Sequence, residues 1–138
     1  MTDREIELVA LICEREGYMS RDGVLRVMQA QAQHEAAGNP RPRFADVAVY
    51  YKLVGATDMR YAMSIQDKLA VTPGQRRPLG YYLLEAGVLK PSQVLEALEE
   101  QAFYGSRLGE ILIRNGWATD ADIEAALKTQ AERHQPVA

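Results

Sequence analysis

A 24-residue segment occurs twice in the C-terminal half of the chain, and this repeat constrains the fold more than any other feature. The first copy is PLGYYLLEAGVLKPSQVLEALEEQ (78–101) and the second is RLGEILIRNGWATDADIEAALKTQ (107–130), aligned without a gap. A repeat of this length is typical of similar supersecondary units that bury their apolar faces against one another. The matched pairs are Leu79 with Leu108, Gly80 with Gly109, Leu83 with Leu112, Leu84 with Ile113, Gly87 with Gly116, Val94 with Ile123, Ala97 with Ala126, Leu98 with Leu127, and Gln101 with Gln130.

The N-terminal half contains two weaker copies of the same template. Residues 43–66 match it at both ends, and residues 8–31 match it mainly in their second half. We call the four copies, in chain order, copy one to copy four, and number the template from position 1 to position 24. The connecting segments are 32–42, 67–77 and 102–106. We expect a single domain over residues 1–138, in which a degenerate repeat pair (8–66) precedes a closely matched tandem (78–130).

Each copy is predicted to form two helices joined by a tight turn. Apolar residues near positions 2, 5, 6 and 9 give the stripe of a first helix. Gly17, Gly87 and Gly116, all at position 10, suit the left-handed cap that ends it. Apolar residues at positions 17, 20 and 21 have the i, i+3, i+4 spacing of a second helix facing a core. Even ADVAVYY, which alternates like a strand, is placed on a helix by the repeat.

The start of the second helix is marked in three copies. Ser20 and Thr119 are candidate N-caps, Asp122 completes a capping box with Thr119, and Pro91 suits the first turn. We therefore predict an all-α fold of four tandem helical hairpins packed into one domain. The side chains expected to face inward or to line grooves are Val24, Met28, Met59, Met63, Val94, Leu98, Ile123 and Leu127.

Composition narrows the function classes. The formal net charge of −3 argues against a dedicated nucleic-acid-binding protein. One cysteine excludes a disulfide framework, and the two histidines are far apart without ligand-spaced partners, so we expect no metal site. No apolar run is long enough to span a membrane, and the N-terminus has acidic residues where a signal peptide needs basic ones. We expect a cytoplasmic protein without membrane insertion.

Through the matched residues of its two copies, the tandem 78–130 resembles the MshEN domain. This domain is found at the N-terminus of the ATPases of type II secretion and type IV pilus assembly. The family pattern is roughly RLGxxLLxxGxLxxxxLxxALxxQ, given twice, and the tandem covers 53 of the 138 residues. In members that bind cyclic di-GMP, each motif is a helical hairpin that holds part of the dinucleotide. The Arg and Gln at its two ends make polar contacts, and positions 2, 17 and 21 make apolar contacts.

The resemblance implies a cyclic di-GMP site on copies three and four and a protein partner, such as a secretion or pilus ATPase or another regulator. It implies no other cofactor. The residues that it assigns to the site are Arg107, Leu108, Gly109, Ile123, Leu127 and Gln130 in copy four, with Leu79, Gly80, Val94, Leu98 and Gln101 in copy three.

The chain departs from the family pattern at position 1 and at two glycines. Copy three has Pro78 where the family has Arg, which removes one charge-assisted contact, and Arg76 or Arg77 is a candidate to replace it. Copy two keeps Arg43 and Gln66, but Ala45 and Lys52 stand where the family has glycine. Copy one has Leu8 at position 1 and lacks the arginine altogether.

A structural interpretation of the same residues stays open. Aliphatic residues at helical spacing are most often core residues, and the four glutamines at position 24 are also suited to cap or bridge hairpins. Arg107 is by frequency a solvated side chain. The tyrosines and Trp117 are expected to be mostly packing residues, and Cys13 is expected to be buried and inert.

Two functions follow as hypotheses. The first is a non-catalytic cyclic di-GMP receptor that signals to a protein partner of secretion, pilus or motility machinery. The second is a protein-interaction adaptor that kept the repeat fold and lost the nucleotide. An enzyme is not expected, because the chain has no GxxxxGK[ST] loop and no acid/base or nucleophile constellation. DNA binding by residues 83–101 is disfavoured, since Glu96, Glu99 and Glu100 would repel phosphates.

Overall fold

The computed structural model describes residues 7–69 and 77–133, and these residues form α-helices joined by turns, with no strand among them. The all-α prediction is confirmed. Eight helices are described: α1 (Leu8–Glu16), α2 (Arg21–Ala36), α3 (Phe44–Tyr50), α4 (Ala56–Leu69), α5 (Leu79–Glu85), α6 (Pro91–Tyr104), α7 (Leu108–Arg114) and α8 (Asp120–Arg133).

A short helix followed by a long one occurs in each of the four copies. The short helices have seven to nine residues and the long ones 14 to 16. The glycines at position 10 all have positive φ, with 87° at Gly17, 80° at Gly87 and 75° at Gly116. A left-handed residue there satisfies the last carbonyls of the short helix and reverses the chain toward the long helix. ADVAVYY is helical up to Tyr50, where α3 ends, and Tyr51 is the C-cap.

The predicted caps of the long helices are present. The hydroxyl of Ser20 accepts from the backbone N–H of Gly23 at 3.1 Å. Thr119 and Asp122 form the reciprocal capping box, with distances of 3.0 and 3.2 Å. Pro91 occupies the first turn of α6, where a missing N–H leaves no helical hydrogen bond unmade.

The long helices continue beyond the template, which corrects the predicted connectors. We expected connectors at 32–42, 67–77 and 102–106, but α2 ends at Ala36, α4 at Leu69 and α6 at Tyr104. The residues that extend them, such as those of QAQHEAA, have no proline or glycine to stop a helix. Gly38 (φ 90°) follows the end of α2, and Gly105 (φ 72°) ends α6 as a left-handed cap. Residues 70–76 lie outside the described part of the chain.

The chain divides into two compact units, Met1–Gln66 and Asp67–Ala138. In the C-terminal unit, α5 packs most closely against α8, and α6 against α7. In the N-terminal unit, the closest packing is between α2 and α3. The short helices α3, α5 and α7 are therefore covered mainly by the long helix of a neighbouring copy, whereas α1 packs equally against α2 and α3.

The cores contain most of the predicted stripes. Val24, Met59 and Val94 are buried, and Met28, Met63, Leu98 and Ile123 are half-buried. Leu127, expected to face inward or to line a groove, is 47% exposed and is not part of the core. The largest fully buried aliphatic and aromatic side chains are Ile12, Val24, Phe44 and Ile65 in the N-terminal unit, and Leu83, Leu84, Val94, Ile111 and Leu112 in the C-terminal unit.

Two further observations concern the described residues alone. No helix formed by them is long and apolar enough to cross a bilayer. No group of three or more His, Cys, Asp or Glu side chains among them is arranged to hold a metal ion.

Lys52 adopts the left-handed conformation at the position where the other copies have glycine. Its φ of 61° is the only positive value at a non-glycine residue in the described chain. A residue with a Cβ is strained there by roughly 1–2 kcal/mol, whereas glycine is not. We expect Lys52→Gly to raise the free energy of unfolding by about 0.5–1 kcal/mol. The gain is smaller than the strain because glycine also gives the unfolded chain more conformational entropy. The urea midpoint should rise with an unchanged slope.

The matched control is the reverse change at the equivalent position of copy three. A Cβ on Gly87 would meet no heavy atom within 4 Å, so Gly87→Lys tests backbone strain without a steric clash. We expect it to destabilise by about 1 kcal/mol. Equal effects of the same sign from both variants would show that the φ at this position is not what limits stability.

Cys13 is fully buried in α1, as expected. Burial, aided by the negative charge of Asp58, raises the pKa of its thiol to about 11. The thiol is therefore protonated and shielded at neutral pH. A thiol-specific disulfide reagent at about pH 8 should label the native protein slowly and the denatured protein fully. Rapid labelling of the native protein would contradict this placement.

Candidate functional site

Position 1 of the template has the same backbone conformation in three copies. Arg43 (φ −69°, ψ 143°), Pro78 (φ −65°, ψ 155°) and Arg107 (φ −69°, ψ 142°) are the N-caps of α3, α5 and α7. This φ is the one that a proline ring imposes, and the first N–H groups of a helix have no intrahelical partner. Arginine and proline can therefore replace one another here without a change in the backbone.

The two arginines at position 1 differ in what they contact. Arg43 donates to both carboxylate oxygens of Asp46, from Nε at 3.0 Å and from Nη2 at 3.4 Å. Arg107 is exposed, and its guanidinium makes no hydrogen bond or ion pair with any described residue. Glu110 lies three residues after Arg107, as Asp46 does after Arg43, but Glu110 does not pair with Arg107. Arg107 is thus open to an external anion, whereas Arg43 is already neutralised.

Arg77, one of the two candidates to replace the missing arginine of copy three, stacks on an aromatic ring. Its guanidinium carbon lies 4.3 Å from the centroid of Tyr81. Burial raises the pKa of the Tyr81 phenol, although the charge of Arg77 acts in the opposite direction. Arg76 lies outside the described residues. Arg77 therefore has a packing partner of its own, which it would have to leave in order to replace an arginine at position 78.

Two of the four glutamines at position 24 connect one copy to another. Gln130 Nε2 donates to the carbonyl oxygen of Arg77 at 2.7 Å, and Gln31 Nε2 donates to that of Pro42 at 2.9 Å. Both acceptors belong to the residue directly before position 1. The last glutamine of one copy thus fixes the entry into the short helix of a neighbouring copy, which is the structural role considered in the sequence analysis. Gln101 is half-buried, and so is Gln66.

Gln31 and Gln130 differ in the hydrogen-bonding atoms that remain available to a ligand. Gln31 is 1% exposed, its oxygen accepts from Arg41 at 3.1 Å, and its amide nitrogen also lies 3.3 Å from a Glu7 oxygen. Its hydrogen-bonding capacity is used. Gln130 is half-buried, and its oxygen and second N–H have no partner among the described residues.

The glycines at position 3 face the residue at position 17 of the same copy. A Cβ built on Gly80 would lie 3.2 Å from Val94 Cγ1 and 3.9 Å from Leu108 Cδ2. A Cβ on Gly109 would lie 3.5 Å from Ile123 Cγ2, an ordinary contact. The contact is therefore tight only at Gly80, where neighbouring side chains use the space that the glycine leaves.

The apolar site residues range from buried to exposed. Val94 is buried, Leu79, Leu98, Leu108 and Ile123 are half-buried, and Leu127 is 47% exposed. Leu108 reaches Gly80 beside Val94, so residues of both tandem copies meet at this point. No hydrogen bond or ion pair among the described residues joins the side chain of Arg107 or Gln101 to another site residue. Leu79 and Leu98 have no polar side-chain atoms.

Comparison with known proteins returned nothing: no family model, no curated protein and no solved structure matches this chain. The site is therefore judged on its own residues.

Proposed function

We propose that the protein is a non-catalytic regulator that binds cyclic di-GMP on the tandem 78–130 and signals to a protein partner of secretion, pilus or motility machinery. The proposal includes the cytoplasmic location expected from the sequence. The observation that supports it most is the difference between the two halves of the chain at their polar template positions. Arg107 and Gln130 have unused donors, whereas the equivalent Arg43 and Gln31 are occupied by other residues.

The chemistry of these residues suits a cyclic dinucleotide. A free guanidinium forms a strong, charge-assisted hydrogen bond with a phosphate oxygen. An amide with one N–H and its oxygen unused can hydrogen-bond a base edge or a sugar hydroxyl. Leu127, exposed one turn before Gln130, and the half-buried Leu108 offer apolar contact to the flat faces of bases.

A calorimetric titration of the whole chain with cyclic di-GMP tests the proposal, with GMP as the control ligand. We expect saturable heat with one dinucleotide bound per chain and weaker or no binding of GMP, which has one base and one phosphate. The absence of heat beyond dilution for cyclic di-GMP would contradict nucleotide binding by the wild-type chain.

A protein-interaction adaptor without a nucleotide is the second candidate, and two observations favour it. Gln130 already has a structural partner in the Arg77 carbonyl, which accounts for its presence without a ligand. Pro78 has no side-chain donor, and the neighbouring Arg77 stacks on Tyr81. The two candidates differ in the wild-type chain, which should bind cyclic di-GMP under the first and should not bind it under the second.

A further inference from the structure

A groove of about 640 Å³ opens on the C-terminal unit between the end of α6 and the turn after α7. We call it the α6–α7 groove. Its aromatic wall consists of Phe103, Tyr104 and Trp117. Phe103 is 81% exposed and Tyr104 is 68% exposed, which contradicts the expectation that Tyr104 is a packing residue. Adjacent aromatic side chains left this open are typical of contact surfaces rather than of cores.

Two of the three rings pack against each other. The rings of Phe103 and Tyr104 pack edge to face, with centroids 4.8 Å apart and planes at 73°. Gly105 ends α6 directly after them in the left-handed conformation. A preformed pair of rings loses little conformational entropy when a partner covers it.

Carboxylates line the groove beside the rings. Glu100 is held in place, since its Oε2 accepts from Asn115 at 3.2 Å and lies 3.5 Å from Arg114 Nη2. Glu96 and Glu99 are exposed and make no hydrogen bond or ion pair with the described residues. The groove thus combines aromatic faces with two unpaired negative charges, and no Lys or Arg lines it.

The repeat does not require these residues. The positions of Glu96 and Glu99 are occupied by Arg26 and Gln29 in copy one and by Ala125 and Lys128 in copy four. The equivalent groove of the N-terminal unit is about 310 Å³ and has Arg26 and Ala30 at the positions of Glu96 and Glu100, and Tyr51 and Leu53 at those of Asn115 and Trp117. The carboxylates and the pair Phe103 and Tyr104 are therefore particular to α6 and are not shared by the repeat.

We infer that the α6–α7 groove binds an arginine-containing basic segment of a partner protein. A guanidinium stacks on aromatic faces and pairs with carboxylates, and it does both better than an ammonium does. Arginine and aromatic side chains dominate the binding energy of protein interfaces.

The acidic part of the groove faces away from the proposed nucleotide surface. At about 100° per residue, Glu96, Glu99 and Phe103 lie on the side of α6 opposite Val94, Leu98 and Gln101, and Tyr104 lies between the two faces, one turn after Gln101. An arginine paired with Glu96 or Glu99 and a ligand on the tandem would therefore contact different faces of one helix. The inference goes beyond the proposed function and does not depend on nucleotide binding.

Trp117 provides the readout, because it is the only tryptophan of the chain and lines the groove. The probe is an eight-residue peptide that alternates arginine with alanine. We expect a saturable change in Trp117 fluorescence that weakens as salt is added. The same peptide with glutamate in place of arginine should give no change. A linear, unsaturable response to the arginine peptide would overturn the inference.

Matched charge variants distinguish binding at the groove from a general effect of the net charge of the protein. Glu99→Lys should weaken the arginine peptide at least about fivefold, because it places a like charge in the groove. Glu124→Lys makes the same change at an exposed position of α8 and should leave the affinity unchanged. Phe103→Ala removes an exposed ring without disturbing the core and should also weaken binding. Equal losses from Glu99→Lys and Glu124→Lys would mean that only net charge matters, and the groove would not be the site.

Sedimentation of the free protein tests the other occupant, a second copy of this chain. We expect a monomer, or an oligomer that Phe103→Ala does not change. If Phe103→Ala converts a dimer to a monomer, the groove is a self-association surface and the inference is wrong. A cyclic di-GMP titration of Glu99→Lys should match the wild type in either case, so failure of the groove and failure of the nucleotide site can be distinguished.

Discussion

Replacement of Arg107 by alanine is expected to weaken cyclic di-GMP binding by about 1.5–3 kcal/mol, the typical contribution of a hydrogen bond to a charged group. This corresponds to roughly a tenfold to 150-fold rise in Kd. The guanidinium has no partner among the described residues, so its loss should leave the free protein unchanged and be measured entirely as lost affinity. Calorimetry gives the Kd, and a urea titration of the same variant should give an unchanged midpoint.

Arg43→Ala is the matched control for Arg107→Ala. Arg43 has the same template position and the same backbone conformation, but its guanidinium is paired with Asp46 at 3.0 Å. Its removal breaks only an exposed ion pair, so affinity and stability should both stay close to those of the wild type. Equal losses of affinity from the two variants would show that Arg107 acts through general charge and not through a specific contact.

Pro78→Arg is expected to strengthen cyclic di-GMP binding by on the order of 1–3 kcal/mol, because it gives copy three the arginine of the family pattern. The backbone at Pro78 already matches that of Arg107 within 4° in φ and 13° in ψ, so the new side chain starts from the same geometry. The variant should fold with near wild-type stability. If Arg77 already supplies the missing contact, affinity should change little, and Arg77→Ala should then weaken the wild type.

The local structure was largely predictable from the sequence, and the packing was not. Position 10 was identified as a turn from three glycines, and Lys52 adopts the same left-handed conformation there. A template of apolar positions shows which face of a helix is buried but not which helix covers it. The packing of α5 on α8 and of α6 on α7 is therefore a result of the three-dimensional structure.

The candidate site was predictable in its residue types and not in their partners. Gln130 was noted as a terminal glutamine, but its partner is the backbone oxygen of Arg77, 53 positions away, and a main-chain acceptor leaves no trace in a side-chain pattern. Likewise, Arg43 and Arg107 differ because Arg43 forms an ion pair with the carboxylate three residues later and Arg107 does not, although both have such a carboxylate in the sequence. Tyr104 was expected to pack because aromatic side chains are most often buried, and its exposure beside Phe103 had no signal in the sequence.

The most direct test of the central claim is a set of calorimetric titrations with cyclic di-GMP on the wild type, Pro78→Arg, Arg107→Ala and the double variant. Circular dichroism first establishes that all four are folded and helical. The account predicts that Pro78→Arg binds more tightly than the wild type and that Arg107→Ala weakens binding in both backgrounds. A folded Pro78→Arg variant without measurable binding, like the wild type, would contradict the nucleotide site and leave the adaptor.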